Sequence, residues 1–277
     1  MMNPDLEDIF AELEQARGIA FHGYRPGTLQ RRLSFRMGQL GIRDSAAYLH
    51  KLRTDPAEPD RLVDAVGVRV SHFFRDAIVF ENLAGSVLPR LIERRGRGGP
   101  REIRVWSAGC ASGEEAYSVA ILIHQALQKE AGDWRVFIFA SDMNGEALRQ
   151  AERGDFSREK FEETKLGVLD RYFDPTATGF RVKPFVREMV QFCRDDLTSA
   201  ERTAPSESIF GTFDLVLCRN VLIYFQPEPQ AGILCRLRRS LGPGGFLVLG
   251  SSEDLSGQLA EGFVPVDRPN RIWRKVG

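Results

Sequence analysis

The sequence predicts an α/β protein: an all-helical N-terminal domain, then a Rossmann-like, doubly wound sheet domain carrying a small inserted antiparallel β-subdomain. Three observations carry this expectation. Apolar side chains recur at helical spacing up to about residue 95. Beyond the Gly/Pro/Arg stretch at 96–102, short β-rich runs alternate with helical ones, the pattern of βαβ units around a parallel sheet covered on both faces. Between about 157 and 190 that alternation breaks. We therefore expect a helical domain over 1–85, a linker over 86–102, and a sheet domain over 103–277 with the β-subdomain at about 157–190.

Taken in order, LEDIFAELEQARGI presents Leu6, Ile9, Phe10 and Leu13 on one helical face. In TLQRRLSFRMGQLG, Leu29, Leu33, Met37 and Leu40 form a stripe, Thr28 can cap the start, and Gly41 suits the position after the last turn. SAAYLHKL and PDRLVDAVGVRV give two further helices, and VFENLAGSVLPRLIERR a fifth. The strand runs are IRVWSAG, VFIFASD, MVQFCRDD, FDLVLCRN and GFLVLGSS. Helices are expected over EEAYSVAILIHQALQKE, GEALRQAERG and PEPQAGILCRLRRSL. FDPTATGFRVKPFVREMVQF reads as a hairpin turning at Thr178-Gly179, and GFVPVDRPNRIWRKV as a final strand pair.

The chain has 277 residues, with 38 basic against 38 acidic, 43% hydrophobic and 27% charged. This is ordinary globular composition and excludes disordered, collagen-like and disulfide-stapled classes. No apolar run approaches the ~18 residues of a membrane span. The acidic start MMNPDLEDIF lacks the basic and apolar blocks of a secretory signal. Four scattered cysteines without a CxxC pair are expected to be reduced, and the protein to be cytoplasmic. The balanced charge hides an asymmetry: between Arg25 and Arg53 seven basic residues face one acid, Asp44. In the second helix Arg31 and Phe35 point away from the apolar stripe, and Arg32 and Arg36 flank it. Such a face is a candidate surface for an acidic partner, or simply a solvated one.

In a doubly wound sheet, ligands bind beyond the carboxyl ends of the strands. The first strand is followed by Ser107-Ala-Gly-Cys-Ala-Ser-Gly-Glu114-Glu115, where Gly109 and Gly113 permit a tight turn. A phosphate would meet two carboxylates at this helix start, so a dinucleotide is disfavoured and a cationic ligand favoured. S-adenosylmethionine (SAM) carries an ammonium and a sulfonium and no phosphate. The plainer alternative is that both acids only stabilise the helix start. Asp142 ends the second strand, where a carboxylate can accept ribose hydroxyls or merely cap a loop. The fourth strand runs into Cys218-Arg219-Asn220 and Tyr224-Phe225, without the Asn/Asp-Pro-Pro-aromatic turn of methyltransferases acting on base amines. His22, His50 and His124 show no ligand spacing with a Cys or acid, so no metal is expected.

VWSAGCASGEEAYSVA, HFFRD, ASDMNGEALRQAERGDFS, CRNVLIYF and GGFLVLGSSE together resemble the chemotaxis receptor methyltransferases, the CheR family. The resemblance runs from about residue 5 to the C-terminus. It implies a helical domain, a SAM-binding α/β domain with a β-subdomain, and protein-glutamate O-methyltransferase activity in signal adaptation. The acceptors it implies are glutamates on the cytoplasmic helices of chemoreceptors, and the products glutamate methyl esters and S-adenosylhomocysteine (SAH).

Position by position, the resemblance gives Arg75 and Tyr224 to the methyl-transfer centre. It gives Ser71, Arg75, Glu115, Asp142, Asp196, Leu197, Cys218 and Arg219 to the cofactor. Arg31, Arg32 and Arg36 would dock on the receptor. Two positions depart from the family pattern: Arg69 stands where an Asn is usual, and Ala116 replaces a proline. The compact loop at Thr178-Gly179 implies a member that needs no pentapeptide tether at the receptor C-terminus. Two other readings are a CheR-like SAM- or nucleotide-binding sensor without transfer, and a SAM-dependent methyltransferase of another substrate. The missing Pro-Pro turn and neutral charge speak against nucleic acid.

Overall fold

A computed structural model describes residues 4–17, 21–67, 71–97, 100–199, 202–205, 207–208, 211–255 and 257–276. Arg69 lies outside the described residues. Among the described residues the N-terminal part holds four helices: α1 (Pro4–Arg17), α2 (Pro26–Gln39), α3 (Ser45–Thr54) and α4 (Glu58–Val66). Leu6, Ile9, Phe10 and Leu13 of α1 and Leu29, Leu33 and Met37 of α2 are buried in one apolar core, as the spacing predicts, with α1 packed on α3 and α2 on α4. Helix α2 starts earlier than the Thr28 cap implied. Pro26 occupies its first turn, with a fixed φ suited to a helix start, and Thr28 is buried inside that turn. Gly41 takes a left-handed φ of 68° just past α2, as expected of that position. Asp44 caps α3 by accepting from the Ala47 N–H.

A continuous helical stretch follows as α5 (Ala77–Asn82), a π-helical turn over Leu83–Val87, and α6 (Leu88–Gly96). Pro89 has no N–H for the carbonyl one turn earlier, which accounts for the wider turn before it. The placement of 86–102 as a linker needs correction. Phe80, Leu83, Val87 and Leu91 pack with Ile103, Val105 and Ile121, so α5 and α6 belong with the sheet. Their apolar stripe needs a partner surface, and the sheet supplies it.

The remaining elements, in chain order, are β1 (Glu102–Ala108), α7 (Glu114–Leu127), β2 (Arg135–Asp142), α8 (Gly145–Arg153) and β3 (Asp155–Ser157). Then come α9 (Leu166–Tyr172), β4 (Phe173–Pro175), β5 (Gly179–Val182), α10 (Pro184–Arg187) and β6 (Val190–Arg194). The chain closes with β7 (Phe213–Cys218), α11 (Pro227–Ser240), β8 (Leu241–Leu249), β9 (Phe263–Asp267) and β10 (Ile272–Lys275). Seven strands form the main sheet in the order β6-β2-β1-β7-β8-β10-β9. The first five run parallel, and β10 is antiparallel to both its neighbours.

Alternation sorts the two faces. Ile103, Val105, Leu215, Leu217 and Val248 meet α5–α7. Trp106, Ala108, Val216, Cys218 and Leu247 meet α11 and the N-terminal helices.

The insert is a separate three-stranded antiparallel sheet, β3-β5-β4. Its turn spans 176–178, pinned by Thr176, and Gly179 lies at the start of β5 rather than in the turn. A Cβ at Gly179 would fall 2.0 Å from the Phe156 carbonyl oxygen, so this strand pairing requires glycine. Among the described residues no helix is long and apolar enough to cross a membrane, and no cluster of His, Cys, Asp and Glu is suited to a metal.

Candidate active site

The strand order reverses between β1 and β7, and a cleft opens at their carboxyl ends, as this topology provides. Its two halves, of about 630 and 480 Å³ and open to solvent, meet at Gly109, Asn220 and Tyr224. Tyr24, Asp142, Met143, Asp196 and Leu197 line the first half. Ser71, His72, Arg75, Ala111, Glu115 and Arg219 line the second. Seven of the eight cofactor candidates and both transfer candidates therefore border one continuous cleft.

Cys218 is the exception. It is fully buried and points to the face that packs on α11 and the N-terminal helices. Residues 216 and 218 share that face by strand alternation; past the end of the strand, Arg219 and Asn220 line the cleft instead. The cysteine beside the second half is Cys110, whose thiol burial pushes well above its usual range. Cys235 is exposed, and the other three cysteines are buried.

The loop after β1 is shaped by Gly109, whose φ is 75° and whose Cβ would lie 2.5 Å from Val221. Its N–H and that of Cys110 donate to the Ser141 carbonyl, tying the ends of β1 and β2 together. Two backbone donors then fix the Asp142 carboxylate: Ala111 N–H at 2.8 Å and Asn144 N–H at 2.9 Å. Glu115 accepts from the Ser107 hydroxyl at 2.7 Å and from Arg219 at 3.2 Å. The Arg219 guanidinium, stacked on Phe80, also donates to Asp76 at 2.7 Å and to the Arg75 carbonyl at 2.9 Å. Asp196 is held by the N–H and hydroxyl of Thr198, and its own carbonyl accepts from the buried Arg236. Tyr224 is half-buried. Burial pushes its phenol up, while Arg32, Arg75 and Arg31 pull it the other way.

These residues fit SAM. The donor set is acidic at Asp142, Asp196 and Glu115, suiting a ribose diol and a cationic amino-acid head. At the start of α7, Glu114 is fully buried with Lys160 3.0 Å away. The position a pyrophosphate would need is thus filled by carboxylates.

Sequence reasoning did not single out three contributors. Glu253 is a buried carboxylate whose oxygens accept the N–H groups of Asn220, Val221, Leu222 and Gly250, shaping the turn that leads to Tyr224. Asn220 sits in that turn at a left-handed φ of 60°. Tyr24 arrives from the N-terminal domain, bridged to Phe225, and the Arg25 N–H donates to the Tyr224 carbonyl. The GGFLVLGSSE run contains Glu253, but nothing local ties it to the β7 turn.

On α2, Arg31 and Phe35 are exposed, Phe35 at 58%, and Arg32 borders a groove between α2 and α4. Arg36 lines the same groove but is engaged inward. It forms a two-point ion pair with Glu58, at 2.8 and 2.7 Å, and Tyr48 donates to the same carboxylate at 2.9 Å. Glu58 is fully buried and needs that cation, so Arg36 holds α2 to α4.

Residues 69–271 match the CheR methyltransferase SAM-binding domain, and residues 4–66 the CheR methyltransferase all-alpha domain. A chemotaxis protein methyltransferase of Pseudomonas putida is 34% identical, with 92% of each chain covered. Another, of Pseudomonas aeruginosa, is 35% identical over 92% of this chain and 91% of its own length. An uncharacterised 104.1 kDa protein of Rhodobacter capsulatus is 36% identical over 93% of this chain, which spans only 26% of that longer protein. With a helical domain and a SAM-binding methyltransferase domain matched in order over nearly its whole length, this chain belongs to the CheR methyltransferase family.

Proposed function

We propose that this chain is a protein-glutamate O-methyltransferase that uses SAM to esterify glutamates on the cytoplasmic helices of a chemoreceptor, releasing SAH, and so works in the cytoplasm. The observation that carries this reading is the seating of α2 against the reaction point. Arg25, just before α2, donates its N–H to the Tyr224 carbonyl, and Tyr24 pairs with Phe225. Arg75 and Tyr224 line the same half of the cleft, with Arg31 and Arg32 on the helix that starts there. A basic helix bordering the reaction point suits an acidic helical acceptor.

When bound, SAM supplies a methyl group on a positively charged sulfur. The acceptor carboxylate, with a pKa of roughly 4.3, is ionised at neutral pH, so no residue has to remove a proton. We assign Asp142 to the ribose hydroxyls because two backbone N–H groups fix its orientation. Glu115, held by Ser107 and Arg219, faces the ammonium end, with Ser71 beside it. Asp196 and Leu197 border the base. Arg75 and Tyr224 orient the acceptor oxygen, and that alignment is the main contribution left for the protein to make. Arg31 and Arg32 dock the receptor helix. The three-residue turn at 176–178 supports a member that works without a C-terminal tether.

The test is mass spectrometry of a chemoreceptor cytoplasmic fragment incubated with the protein and SAM. Methyl groups confined to glutamate side chains are expected. SAH binding with no methylated glutamate on the cognate receptor would instead support the sensor reading.

A further inference from the structure

Arg75 lies in a strained segment. Phe74 and Asp76, on either side of it, both take left-handed backbone conformations, with φ of 57° and 62°. Such conformations persist in non-glycine residues only where the surroundings over-determine them. The sheet domain supplies part of that restraint: the Phe74 N–H donates to Ser118, and Arg219 binds Asp76 and the Arg75 carbonyl. The rest comes from the insert.

Lys160 Nζ donates to the Ser71 carbonyl at 2.6 Å, and the Lys160 carbonyl accepts the Phe73 N–H at 2.9 Å. Phe73 stacks on Phe161, with centroids 4.7 Å apart and planes 11° from parallel. Glu163 closes the far side. One of its oxygens lies 2.8 Å from His72 Nε2, and the other accepts the Ala77 N–H at 3.0 Å. That N–H opens α5, whose own N-cap residue, Asp76, makes no side-chain cap; Glu163 provides the missing acceptor from another element.

We infer that the β-subdomain is a positioning element for the transfer site, with Glu163 and Lys160 as positioning residues that clasp residues 71–77 and thereby aim Arg75. This rests on the methyl-transfer reading above. It also gives the insert a role independent of any tether, because a ligand or partner pulling on the insert would move Arg75.

Glu163 is half-exposed, so its removal leaves the core intact, and Glu163→Ala tests the inference in the full chain. Hydrogen exchange should quicken at Ala77 and its neighbours. The kcat for receptor methylation should fall about tenfold or more, the scale on which small misplacements act, while the SAH Kd changes far less and Tm stays near wild type. Glu163→Gln keeps one carbonyl acceptor for the Ala77 N–H and should recover part of the rate. Unchanged exchange over 71–77 would overturn the inference, as would an unchanged kcat or parallel losses of kcat and SAH affinity. If wild type methylates no receptor, the functional reading fails by itself, and the exchange comparison still decides whether Glu163 holds the segment.

Discussion

Replacing Arg36 with alanine separates a structural arginine from the arginines beside it that we propose for docking. Glu58 is fully buried, and three of its contacts matter: two to Arg36 and one from the Tyr48 hydroxyl. Burial by itself would push the Glu58 carboxyl up; hydrogen bonds from Arg36 and Tyr48 overcome that and hold it below its usual range. Removing one partner of a buried pair is destabilising by about 3–5 kcal/mol. Tyr48 remains, and Arg61, 3.8 Å away and exposed, can move closer, so we expect a loss near the lower end, about 3 kcal/mol. At roughly 2–4 °C per kcal/mol for chains approaching this size, Tm should drop by about 6–12 °C.

The pH dependence fixes the sign. In wild type the folded pKa of Glu58 is depressed, so its contribution is present above the unfolded value and fades as pH falls through the folded one. Without Arg36, burial raises the folded pKa above the unfolded value, and the penalty appears as pH rises. The gap between wild type and Arg36→Ala should therefore widen from about pH 4.5 to pH 7. Urea unfolding followed by circular dichroism at both pH values measures it, with Arg31→Ala as a control expected within about 0.5 kcal/mol of wild type. A loss under about 1 kcal/mol, or one independent of pH, would refute the assignment of Arg36 to the α2–α4 contact.

Three further outcomes are expected. Arg75→Ala should lower turnover far more than SAH affinity, read by initial rates and calorimetry; an unchanged rate would remove Arg75 from the transfer step. Neutralising Arg31 and Arg32 together should weaken receptor methylation, chiefly through KM, and leave SAH binding intact. Equal loss of both would point to a folding defect instead. In Glu253→Gln, whichever way the amide turns, its NH₂ faces two backbone N–H groups that the carboxylate now accepts. With about 1–3 kcal/mol for each unpaired donor, a stability loss of roughly 2–6 kcal/mol should appear in chemical denaturation, together with reduced turnover through Tyr224.

What could be seen beforehand follows from how local each signal is. The strands were legible because β-rich runs alternate with helical ones, and the place of Asp142 at the cleft because the carboxyl ends of parallel strands meet there. Cys218 misled because both faces of β7 are covered: every residue of that strand is buried, so the pattern carries no parity to tell core from cleft. Arg36 looked like its neighbours because its partner, Glu58, lies two helices away. Glu253 and Tyr24 reach the site only through folding, one from beyond β8 and the other from before α2. The expected linker failed for a related reason. A helix that continues into a Gly-rich stretch looks like a connector until the surface that covers its apolar stripe is known.

The central claim is carboxyl methylation of a chemoreceptor. The most direct measurement is transfer of tritiated methyl from SAM to receptor-containing membranes, scored as volatile methanol released by base. Base-labile label that appears only with both the protein and its cognate receptor is the predicted result, since a glutamate methyl ester is cleaved under those conditions. Label that resists base, or none at all despite tight SAH binding, would contradict it.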